Sequence, residues 1–105
     1  MIEPTQILAP GIPSGTSANI EVTSNRLHHL TVRVCNEALT GADVVIIQYL
    51  DSKGVWLPFT VLRETNTPVV AQLSINNSAF VIKETGTYRA VKGITATATG
   101  VEIIA

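Results

Sequence analysis

Val44 to Thr60 reads VVIIQYLDSKGVWLPFT, and this stretch decides the fold class. Val44, Val45, Ile46 and Ile47 form a β-branched run that fits a pleated surface better than a helix. The DSKG that follows supplies a tight turn, with Gly54 at the position needing positive φ, and the chain returns as VWLPFT. If Asp51 and Val55 flank a three-residue loop, Leu50 lies across from Trp56. Trp56 then shares a face with Ile46 and Leu50, and Tyr49 takes the other face. Pro58 withholds a backbone donor and predicts an edge position for the returning strand. A run that is apolar on both parities is either a central strand covered on both sides or one whose outer face meets a partner.

Upstream, LHHLTVRVC alternates, with His28, Leu30, Val32 and Val34 on the face to bury and His29, Thr31, Arg33 and Cys35 on the other. ANIEV is a short strand ended by TSN. Residues 1–16 carry Pro4, Pro10, Pro13, Gly11 and Gly15, a density that blocks helix and interrupts ladders. They predict an extended N-terminal arm ahead of a domain over 17–105. Its apolar Ile2, Ile7, Leu8 and Ile12 are the candidate interface, resting on the domain's own flank or on a neighbour. An ordinary edge strand is the alternative, since proline is tolerated there.

Downstream, RETNTP is a polar loop, and VVAQLSI and AFVIK are strands joined around NNS. GTYRAVK then leads into ITATATGVEIIA. In that last segment Ile94, Ala96 and Ala98 share one parity while Val101 and Ile103 share the other, so a β-bulge at Gly100 is predicted to restore one face. Just before it, Glu84, Gly86 and Tyr88 have the spacing of a tyrosine corner, in which the phenol bonds back to the preceding turn of an immunoglobulin-type sandwich. The expectation is an all-β, antiparallel, immunoglobulin-like β-sandwich of about eight strands with no helix.

The composition agrees: the chain holds 13 Thr, 12 Val and 11 Ile, all β-branched. Charged residues make up 14% and the net charge is -1, with no basic cluster to hold a phosphate backbone, so nucleic acid is not an expected partner. A hydrophobic share of 46% with so little charge leaves a weakly self-repelling surface and points to assembly. The one cysteine, Cys35, has no internal disulfide partner, which suits a reducing compartment. The N-terminal segment has neither a basic start nor a long apolar run, so neither a signal peptide nor a membrane span is expected there.

Little in the sequence suggests reaction chemistry. Adjacent His28 and His29 point to opposite faces of a strand and do not chelate one ion together. His29 and Cys35 share a face but stand about 20 Å apart along an extended chain. Nucleophile-elbow, zinc-helix, phosphate-loop and paired-cysteine motifs are missing, Asp51 reads as a turn former, and Asp43 leads into a strand. No catalytic residue, metal or cofactor is expected. A glycan site would use Trp56 or the loops around Thr40 and Asn66.

Taken together, VVIIQYLDSKGVWLPFT, KETGTYRAVKG and the bulged terminal strand resemble small β-sandwich virion proteins of tailed bacteriophages, over roughly residues 27–104. Members of that group serve as capsid decoration, head-fibre or tail-tube-associated modules. The resemblance implies a non-enzymatic protein made in the host bacterial cytoplasm and carried in the virion. Its partners would be the major capsid protein, other virion proteins, or copies of itself. The alternative is a carbohydrate-binding or tail-associated adhesion module.

Overall fold

The structure, a computed structural model, describes residues 4–23, 30–62 and 68–104. Twelve strands follow in order: β1 (Thr5–Gly11), β2 (Gly15–Thr16), β3 (Ile20–Val22), β4 (Leu30–Asn36), β5 (Val45–Leu50) and β6 (Trp56–Pro58), then β7 (Thr60–Leu62), β8 (Pro68–Val70), β9 (Gln72–Leu73), β10 (Ala79–Ile82), β11 (Gly86–Lys92) and β12 (Thr99–Ile104). No helix forms among the described residues. One antiparallel sheet has the order β1-β12-β4-β10, and a second the order β2-β11-β5-β6, with β3 also on β11 and β9 also on β5. The pair is compatible with a β-sandwich. One buried cluster draws Leu30, Val32, Ile82 and Val101 from the first sheet and Ile20, Val45, Ile47, Leu73, Tyr88 and Ala90 from the second.

The β5–β6 hairpin forms as its spacing dictates. Asp51 Oδ1 accepts the N–H groups of Lys53 and Val55 at 2.9 and 2.8 Å, Gly54 sits at φ 81°, and Leu50 pairs with Trp56. β5 is central, with β11 on one side and β6 and β9 on the other. On that second side the ladder changes partner at Ile47, whose carbonyl accepts Phe59 N–H while its own N–H donates to Ala71, both at 2.9 Å. Between those two contacts the chain leaves the sheet as the β7–β8 hairpin. Pro58 closes β6 at the sheet margin, where a missing donor costs nothing. This subdivision is one reason the described residues form twelve strands instead of about eight.

Three expectations change. First, the segment expected as an arm runs as strands: β1 pairs with β12, and Gly15–Thr16 pairs with β11. Ile7 and Leu8 pack against the core, Ile12 is exposed, and Ile2 lies outside the described residues. Thus β1 is the edge strand of the alternative reading. Second, an immunoglobulin arrangement sets the last strand beside the penultimate one. Here β12 leaves β11 and lies between β1 and β4 in the other sheet.

Third, Gly100 is not itself bulged. β12 pairs with β4 in unbroken register from Thr99↔Asn36 to Ile104↔Thr31. The irregularities lie on β1, between Gln6 and Leu8 and between Leu8 and Gly11. They bring the β1 backbone onto Gly100, where a Cβ would stand 2.8 Å from Leu8 O and 2.9 Å from Pro10 N. Glycine is needed there for close approach, not for an extra residue. Ile94 and Ala96 belong to the connection before β12, and Ile94 is 75% exposed.

Lys92, at the end of β11, is buried with its Nζ donating to Gly11 O, and so ties the two sheets at one end. Burial pushes its pKa down, with Asp43 acting in the opposite direction. A buried cation is tolerated because the carbonyl and Thr95 Oγ1, at 3.3 Å, replace part of its hydration.

Candidate functional site

Among the described residues, the outer face of the second sheet carries an organised, half-buried cluster. Val45 and Ile47 point into the core, so the alternation turns Ile46, Gln48 and Leu50 outward, where each is half-buried. Cross-strand partners share a face: Arg89 stands opposite Gln48, Val91 opposite Ile46, and Trp56 opposite Leu50. Arg89 is fixed at both sides. Its guanidinium carbon lies 4.2 Å from the Trp56 ring centroid, and its Nε donates to Gln48 Oε1 at 2.7 Å. At the β3 margin Thr87 Oγ1 donates to Glu21 Oε2 at 2.9 Å. A stacked, hydrogen-bonded arginine loses little further freedom when a partner covers it, and its other donors, which meet no acceptor among the described residues, suit carbonyl or carboxylate groups.

The inner side of the same sheet holds the corner. Tyr88 is buried and its hydroxyl donates to Glu84 O at 3.0 Å, while burial and then the Glu84 charge push its pKa up. Gly86 lies against that ring, where an added Cβ would be 3.5 Å from Tyr88 Cε1. Phe59 packs edge-on to Tyr88, Tyr49 and Phe80 at centroid distances of 5.2, 6.1 and 6.3 Å. Above these rings opens a recess of about 390 Å³, bordered by Tyr49, Phe59, Thr60, Glu84, Thr85 and Tyr88. Tyr88→Phe should lower stability by about 0.5–1.5 kcal/mol, the net scale of one hydrogen bond, in a denaturant titration. An unchanged midpoint would mean the phenol contributes nothing to the corner.

The remaining sequence candidates are scattered. Cys35, on β4, is half-buried, and its thiol pKa is raised by burial and by Glu102 against the opposing pull of Arg33. Arg33 itself pairs with Glu102 across β4 and β12. Asp43 Oδ2 accepts Ala96 N–H at 2.9 Å, and Asp51 holds its turn. His28, His29 and Asn66 lie outside the described residues. Trp56 and Tyr49 are on opposite faces, as the hairpin spacing implies, so they form no shared stacking platform. Among the described residues no three His, Cys, Asp or Glu side chains group to hold a metal ion, and no helix is long and apolar enough to cross a membrane.

Arg89 was not singled out from the sequence. Hairpin spacing places Trp56, but its neighbour on β11 depends on a pairing between distant segments that no local pattern encodes. Compared with family models, curated proteins and solved structures, the chain matches none.

Proposed function

We propose that this protein is a non-enzymatic structural module that docks through the outer face around Trp56. In view of the resemblance of its hairpin and corner motifs, we assign it to a bacteriophage virion, as a capsid decoration or stabilising protein bound to the assembled head. The observation that carries the docking role is the Arg89–Trp56 stack set on the aliphatic row of Ile46, Leu50 and Val91. Tryptophan and arginine are the residue types that dominate binding energy at protein interfaces. Heads stripped of this protein should take it up saturably. Trp56→Ala should bind about 30-fold more weakly or worse, the scale of a hot spot of 2 kcal/mol. Equal uptake of variant and wild type, or no uptake of wild type, would reject the reading.

A second reading, a glycan-binding or tail-associated adhesion module, draws on the recess beside the corner. Its aromatic walls and the Glu84, Thr60 and Thr85 side chains at its border suit a sugar ring. Sugar titration separates the two. Glycan binding lost in Glu84→Gln and kept in Trp56→Ala would favour this second reading over the first.

A further inference from the structure

The sheet margins are not equally guarded. β1 carries Pro10, two register shifts, and a carbonyl at Ile7 already taken by Ala18 N–H at 3.0 Å. β6 ends in Pro58 and gives way to the β7–β8 excursion, while β2 and β3 are two and three residues long. These are the usual devices that stop an edge from recruiting another strand. β10 is the least guarded margin: it is four residues long, and the one charge on its outward side, Lys83, lies just past its end. Its four residues, Ala79–Ile82, pair with β4 in regular register and include no proline or charge.

The direction of its free groups follows from one bond. Val34 N–H donates to Ser78 O at 3.0 Å, so alternation turns the backbone groups of Phe80 and Ile82 toward β4 and those of Ala79, Val81 and Lys83 away from it. Among the described residues nothing pairs with that outward side. Val81 is 40% exposed and Lys83 is exposed.

We propose that β10 pairs antiparallel with β10 of a second copy across a two-fold axis at Val81, joining two four-stranded sheets into one. A two-fold contact must be self-complementary. Centring it on Val81 satisfies this: Val81 meets Val81, and Ala79 of each copy meets Lys83 of the other. All three outward-directed residues then fall in hydrogen-bonded pairs. The same register sets each lysine against an alanine, so no like charges oppose. This contact is on the other sheet from Trp56 and goes beyond the docking role of that face.

The test places a cysteine on the axis. In a Cys35→Ala background, Val81→Cys should form a disulfide dimer rapidly under mild oxidation, because hydrogen-bonded partners have Cα atoms about 5.5 Å apart, within disulfide range. Ala79→Cys should not, since the two copies of residue 79 would stand about 13 Å apart along the strands. By sedimentation the wild type should be a reversible dimer. Val81→Lys, which sets two charges on the axis, should weaken dimerisation at least tenfold while leaving the fold unchanged by circular dichroism. A wild type that stays monomeric at about 100 μM, or cross-linking at residue 79 equal to that at residue 81, would overturn the proposal; with the fold intact, so would an undiminished Val81→Lys dimer.

Discussion

Ile47→Ala should cost about 2–5 kcal/mol in a denaturant titration, the largest loss expected of any single truncation in the central hairpin. Ile47 is fully buried on β5, where both its backbone groups also carry the change of ladder partner. Truncation leaves a cavity that a strand held on both sides does not close. Its neighbour Ile46 is the control. One residue along, it lies on the outer face beside Val91, and Ile46→Ala should cost about 1 kcal/mol or less. If the two variants lost the same amount, the inner and outer faces of β5 would be wrongly assigned, and the docking face with them.

Gly100→Val is the second large expectation, with a loss of about 1–3 kcal/mol or more from overpacking. The added carbon meets backbone on one side, Leu8 O and Pro10 N, and Cys35 Sγ at 3.0 Å on another. Backbone yields less readily than a side-chain tip, so β1 moves off β12. Amide exchange should therefore speed up along β1 while the β5–β11 ladder keeps its protection. Uniform loss of protection would mean that β1 is integral to the core. An unchanged stability would mean that the close approach is absent.

These two residues show how much of the fold was legible. The β5–β6 hairpin could be read because everything that sets it is local: the Asp51 side chain, the φ of Gly54, and a spacing that pairs Leu50 with Trp56. The Tyr88–Glu84 bond spans four residues and was legible for the same reason. Gly100 was read as a bulge on its own strand, whereas the irregularities lie on β1. A parity switch at Gly100 requires Ile94–Ala98 to be strand, and it is not. Its threonines instead turn their hydroxyls to the backbone, Thr95 to Thr97 O and Thr97 to Ala38 O, both at 2.7 Å, which competes with a ladder. The insertion of β12 between β1 and β4, and the meeting of Arg89 with Trp56, depend on pairings between distant segments. Alternation says which face a residue takes, not which strand will lie beside it.

The partnership of β1 with β12 also sets a timetable. Thr5 pairs with Ile103, nearly a whole chain away, so this ladder closes the longest loop among the described residues. On a ribosome β1 cannot complete this ladder until β12 has emerged. Pro4 and Pro10, which have no backbone donor to offer, make that stretch a poor template for premature or foreign pairing until β12 arrives.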